Sequence, residues 1–154
     1  MSEAKPDEER NVATNRKARH EYFVLETFEA GVALKGAEVK SLRQSRASLQ
    51  ESYATLKNGE VWLFDMHISP YEQAAVDAYE PTRVRKLLLH KKEIRRLVGK
   101  LAEKGLTLVP LRIYFKNGIA KVELALAKGK RAYDKREALK QREAQRELER
   151  DFAE

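Results

Sequence analysis

His20, His67 and His90 are the only imidazoles in the chain, and none has a neighbour at the spacing by which a helix offers two metal ligands. Asp65 and His67 stand two residues apart, so on a strand they would share one face where a carboxylate and an imidazole can meet. Such a pair is more often a structural hydrogen bond than a reacting couple. With no cysteine, the chain has no thiolate zinc site, iron–sulfur cluster, disulfide framework or cysteine nucleophile. Gly-rich phosphate loops, GxSxG, HExxH and clustered carboxylates are also missing. The residues therefore point to a non-enzyme that needs no metal or cofactor.

Positive charge is what the chain has in excess. Its 154 residues carry 31 Lys+Arg against 24 Asp+Glu, a net charge of +7, which favours a polyanionic partner. The excess is local. Pro81 to Lys104 holds nine basic and two acidic residues, whereas Lys128 to Glu154 is nearly balanced and the remainder is slightly negative. Arg83, Arg85 and Lys86, followed by Lys91, Lys92, Arg95 and Arg96, flank apolar positions and are expected to project on one outer face, a footprint for an RNA or DNA backbone. A mixed-charge face could also be merely solvated, but acidic residues are scarce in this strip.

The length suits one domain. Past Met1, residues 1–19 contain only Val12 as a large apolar residue and are expected to form a flexible arm. Residues 20–128 alternate short apolar stretches with turn signals, as an all-β barrel or sandwich with few helices would. Asn58-Gly59 suits a two-residue hairpin turn because both positions take positive φ, and it sets Leu56 opposite Val61, Ala54 opposite Leu63 and Tyr53 opposite Phe64. Asn117-Gly118 likewise sets Phe115 against Ala120, Ile113 against Val122 and Leu111 against Leu124, with Arg112, Tyr114, Lys121 and Glu123 on the other face.

Two helices are expected among the strands. In His90 to Lys104, Ile94, Leu97, Val98 and Leu101 form one apolar stripe and Gly105 is a stop signal. In Gly36 to Ser48, Val39 and Leu42 would face the core while Lys40, Arg43 and Arg46 point outward. Residues 129–154 are highly charged with few large apolar side chains, so a tail is expected that is disordered when free and helical on a partner. No apolar run reaches a membrane span and the first ten residues are polar and acidic, so a soluble cytoplasmic protein is expected.

Four strings carry a resemblance: Asn15-Arg16-Lys17-Ala18-Arg19-His20-Glu21-Tyr22; Gly36-Ala37-Glu38-Val39-Lys40-Ser41-Leu42-Arg43; Pro81-Thr82-Arg83-Val84-Arg85-Lys86-Leu87-Leu88-Leu89-His90; and Ala127-Lys128-Gly129-Lys130-Arg131-Ala132-Tyr133-Asp134-Lys135-Arg136. In this order they closely resemble the SsrA-binding protein (SmpB) family, over Asn15 to about Arg142. The resemblance implies a mainly β fold, an OB-like antiparallel β-barrel with two or three packed helices. It also implies an adaptor that binds the tRNA-like domain of transfer-messenger RNA (tmRNA, or SsrA) and delivers it to stalled ribosomes for trans-translation, with elongation factor Tu as a further partner. A monomer is expected.

Carried over by position, the RNA-facing residues would be Asn15, Arg19, His20, Glu29, Glu38, Lys40, Ser41, Arg43, Arg83, Arg85, Lys86, Leu88, His90 and Lys91. Each has a plainer alternative: Glu38 as a salt-bridge partner or helix-start residue, Ser41 as an ordinary hydroxyl, Leu88 as core. By the same resemblance Lys128, Gly129, Lys130, Arg131, Tyr133, Asp134, Lys135 and Arg136 would meet the decoding centre and empty messenger channel of the ribosome. Tyr133 stands where many relatives carry His, an exchange that keeps a stacking face and loses a protonatable imidazole. The competing reading is a generic single-strand-binding OB-fold protein, which would carry several exposed aromatics; the hairpin pattern puts only Tyr114 clearly on a polar face.

Overall fold

The computed structural model describes residues 8–70, 80–103 and 105–130, together with Arg142 and Arg146. The expected disorder and induced helix of the tail, and the roles expected of Arg131, Tyr133, Asp134, Lys135 and Arg136, lie outside the described residues.

Among the described residues, nine strands and three helices follow in the order β1 (Glu9–Thr14), α1 (Arg16–Glu21), β2 (Tyr22–Val32), α2 (Gly36–Arg43), β3 (Ala47–Ser48), β4 (Tyr53–Lys57), β5 (Glu60–Phe64), β6 (His67–Ile68), β7 (Arg85–Leu88), α3 (Lys91–Leu101), β8 (Leu106–Lys116) and β9 (Ile119–Gly129). The main sheet is antiparallel throughout. Following β8, β4, β5, β7, β2 and β9 leads back to β8, so the strands form a ring, and β1 lies along the later part of β8. A short β3–β6 pair stands apart.

Both Asn-Gly turns form as the residue types require. Asn58 and Gly59 have φ of 54° and 72°, and Asn117 and Gly118 of 51° and 79°. The first hairpin has the expected register throughout. The second keeps Phe115 opposite Ala120 and Ile113 opposite Val122, but Leu124 faces Pro110 rather than Leu111. Proline has no amide to donate to a ladder, and the strand absorbs it with a bulge between Pro110 and Arg112. Leu111 consequently joins Ala18, Val109, Ala125 and Ala127 in a small cluster under α1. The main core, inside the ring, includes Phe28, Leu42, Leu63, Ile68, Ile113 and Leu124.

The expected flexible arm is corrected from residue 8 onward. β1 pairs with β8, Val12 and Ala13 pack against the core, and the Arg10 guanidinium lies 6.0 Å from the Phe115 ring centre. The backbone bonds that order it come from a strand far along the chain, which local composition does not reveal.

Both expected helices form, and each is shorter than expected. In α2, Leu42 is fully buried while Lys40 and Arg43 are exposed. In α3, Leu97 is buried but Val98 is half exposed, so the apolar stripe is narrower than its spacing suggests. Leu97 alone pins this helix deeply, and Leu97→Ala would cost about 2–5 kcal/mol. Among the described residues, no helix is long and apolar enough to cross a membrane.

Candidate nucleic-acid interface

The basic strip does not project on one face. β7 alternates, with Arg85 and Leu87 inward and Lys86 and Leu88 outward. Arg85 is fully buried. Its Nε donates to Glu38 Oε2 at 2.7 Å, its Nη1 to the Met66 carbonyl at 2.6 Å and its Nη2 to the Pro81 carbonyl at 3.1 Å. It therefore joins β7 to α2 rather than facing RNA, which corrects its placement on an outer face. A buried guanidinium is tolerable only when its donors and charge are satisfied, and Glu38 provides the charge.

Glu38 is also fully buried, and is the salt-bridge partner rather than an exposed contact. Its Oε1 accepts the Lys35 amide at 2.8 Å, at the start of α2, and Arg83 Nη2 at 2.5 Å. Burial alone would raise its pKa; the hydrogen bonds from Arg83, the Lys35 amide and Arg85 outweigh this and hold the carboxyl below the usual range. Arg83 keeps part of its side chain at the surface. Ser41 is buried on the same helix.

Other basic residues of the strip are partly committed. Lys86 lies 3.6 Å from Glu60, and Arg96 bonds Glu26 at 2.8 Å, tying α3 to β2. Lys91, Lys92 and Arg95 are exposed on α3, whose capping residue His90 donates its amide to Glu93 at 3.1 Å. Leu88 is half exposed and not core. It crosses over Gly31, where a Cβ would come within 3.3 Å of the Leu88 Cβ. Leu88, His90 and these three cations are thus exposed positions along the segment from β7 into α3.

Glu29 lies in a second group. It accepts the Tyr114 hydroxyl at 2.6 Å, and Lys116 approaches at 3.4 Å. The Tyr114 hydrogen bond is the main reason the Glu29 carboxyl is held below its ordinary range. Burial, then Glu29, pushes the phenol upward. Tyr114 is 2% exposed and lies beneath Arg112, whose guanidinium is 3.9 Å from the ring centre, so it is no free stacking platform despite its place on the polar face. Arg112 is held in turn by Glu123 and Glu9. Sequence reasoning missed the roles of Arg112, Tyr114 and Lys116 around Glu29; their alternation on β8 was the available signal.

A third group surrounds α1. Arg19 and His20 are exposed, whereas Asn15 is buried and fully employed: its Oδ1 caps the Ala18 amide at 3.1 Å and its Nδ2 donates to the Pro110 carbonyl at 3.0 Å. Lys128 and Gly129 end β9 opposite Phe23 and Tyr22. The Lys130 ammonium lies 5.0 Å from the Phe23 ring centre and 3.4 Å from the Arg19 carbonyl, so the chain leaves the ring beside α1. Asp65 and His67 are exposed, and among the described residues no three His, Cys, Asp or Glu side chains gather as a metal site would need.

Residues 12–154 match the family described as SmpB protein. The chain belongs to the SmpB family. It is 63% identical to the SsrA-binding protein of Desulforudis audaxviator over 92% of this chain and 93% of the relative. With the SsrA-binding protein of Pelotomaculum thermopropionicum the identity is 63% over 90% and 91%. A solved structure described as "tmRNA-SmpB: a journey to the center of the bacterial ribosome" superposes with a TM-score of 0.63 at 54% identity, covering 82% of this chain and 85% of that one. Family membership agrees with the mainly β architecture and its three helices.

Proposed function

We propose that the chain is the RNA-binding adaptor of trans-translation: it binds the tRNA-like domain of tmRNA and brings that RNA to ribosomes stalled on incomplete messages. The observation that carries this reading is the 54% identity, over most of both chains, to a structure described as tmRNA-SmpB in the bacterial ribosome. The exposed cations Lys91, Lys92 and Arg95, with Arg83 at the edge of the buried ion cluster, suit phosphate contact. On this reading the ring is an OB-like barrel, the protein works as a cytoplasmic monomer without catalysis of its own, and elongation factor Tu joins the aminoacylated RNA.

Glu29, His20, Arg19 and Leu88 are exposed or half exposed and remain RNA-facing in this proposal, with Lys40, Arg43, Lys86 and His90 beside them. Asn15, Glu38, Ser41 and Arg85 act from beneath, by fixing α1, α2 and β7. Residues 128–136 and the tail beyond them are assigned to the decoding centre and messenger channel. An electrophoretic competition tests the reading. Folded tRNA-like RNA should displace the protein from single-stranded DNA of equal length; equal competition by the DNA would favour a generic single-strand binder.

A further inference from the structure

The outer face of β4, β5 and β7 carries aromatic and basic side chains in register. Tyr53 faces Phe64 across the first hairpin, and the next outward row runs Thr55, Trp62, Lys86 over three adjacent strands. The Tyr53 and Phe64 rings are parallel to within 7°, with centres 5.2 Å apart. Tyr53 nevertheless remains 44% exposed. It also lines a cleft of about 300 Å³ between α1 and the turn that precedes β4, and Phe64 does not. Phe64 therefore backs the ring, while the Tyr53 side of the pair opens to the cleft.

The rest of the cleft suits a nucleotide. Tyr22 supplies a second aromatic wall, and the exposed Gln50 supplies an amide of the kind that reads base edges, while Ser52 is buried with its hydroxyl donating to the Leu49 carbonyl at 2.6 Å. Lys17 stands at the cleft with Glu51 at 3.6 Å as partner, both largely exposed. Surface pairs of this kind are weak, so a phosphate can take the ammonium from Glu51 at little cost.

We propose that this cleft binds one unpaired nucleobase of an RNA partner, stacked on Tyr53 as the third member of the Tyr53–Phe64 column, with Lys17 on its phosphate. The proposal rests on the RNA-binding reading above and adds a base-binding site apart from the cations of α3. Base–aromatic stacking tolerates any base, so the site selects for an unstacked nucleotide rather than a sequence.

Tyr53→Leu keeps apolar bulk and removes the π face, while Tyr53→Phe keeps the face. Each variant is titrated against two probes, the isolated tRNA-like domain of tmRNA and purified small ribosomal subunits, with ultraviolet cross-linking and peptide mapping in parallel. Tyr53→Leu should lose on the order of ten- to hundredfold in affinity in the arm that supplies the base. Tyr53→Phe should match the wild type there, and the cross-link should map to residue 53. All variants should share the wild-type melting temperature. Unchanged Tyr53→Leu affinity in both arms, or a cross-link confined to α3, overturns the site alone. A wild-type protein that bound neither probe would overturn the RNA-binding reading beneath it.

Discussion

Glu38 and Arg85 meet at 2.5 Å with neither side chain exposed to solvent, joining α2 to β7. Removing one partner strands the other charge in the core. Glu38→Ala should therefore lower unfolding free energy by about 3–5 kcal/mol, and Arg85→Ala should do likewise. Arg83→Ala, at the rim of the same cluster, should cost far less stability and act on RNA affinity instead. Urea unfolding alongside filter binding separates the two classes, and a stable Arg85→Ala protein that fails only in RNA binding would return Arg85 to the interface.

Glu38 and Glu29 both have folded-state pKa values below their ordinary 4.5. Carboxyls of this kind contribute stability that is present above the unfolded value and lost as pH falls through the folded one. Urea midpoints should be level above about pH 5 and fall below it. Tyr114→Phe removes the largest cause of the Glu29 shift and should make the acid decline shallower. An equally steep decline in that variant would mean Tyr114 does not hold Glu29 ionised.

Binding to the tRNA-like RNA should weaken steeply with salt. Lys91→Ala, Lys92→Ala and Arg95→Ala combined should reduce the slope of log affinity against log salt by about 2 to 3, one phosphate per cation. Arg85→Ala should leave that slope unchanged if the protein folds, because a buried guanidinium displaces no counterion. Competition titrations over a salt series read both outcomes.

Asn15 should behave as a structural residue. Asn15→Ala loses a helix cap and leaves the Pro110 carbonyl without its side-chain donor, at a cost of about 1–3 kcal/mol. Thermal melting of this variant should show the loss even without RNA; an unchanged melting temperature with weakened RNA binding would favour direct contact.

Among the described residues the core clusters end at Ala127, and the ring closes without any residue past Lys130. Truncation after Lys130 should leave melting temperature and RNA affinity near wild type while abolishing peptide tagging. Leu148→Pro in the full chain, which costs about 3 kcal/mol in any helix interior, should likewise reduce tagging alone. Wild-type tagging by Leu148→Pro would mean that helix formation there is dispensable.

The hairpins were legible because their determinants are local: an Asn-Gly pair fixes the turn, and alternation fixes the faces. Where a determinant was distant, the reading failed. Arginine is normally exposed, and nothing near Arg85 in sequence announces a carboxylate 47 positions away. Leu111 slipped from its expected partner because Pro110 forces a bulge, a rule visible in the sequence but not applied to that strand. β1 looked unanchored because its partner is β8. Of the candidate site, the α3 cations were plain from composition. The Tyr53–Phe64 column was implicit in the hairpin register, yet its exposure depends on how α1 and the turn before β4 stand beside it.

Closing the ring also sets an order of events for the newborn chain. The Glu8 amide waits for the Asn117 side chain, 109 positions later, and β2 waits for β9. Neither edge can be covered until almost all of the ring has been synthesised, so folding is dominated by non-local closure and is expected to be slow. A copy cut short before β9 would hold β2 with an open flank and a core lacking Val122, Leu124 and Leu126, a ready substrate for proteases and for strand-to-strand aggregation. A copy cut short after β9 would fold and persist. Interruptions in the messenger for this protein therefore have opposite fates on the two sides of Gly129.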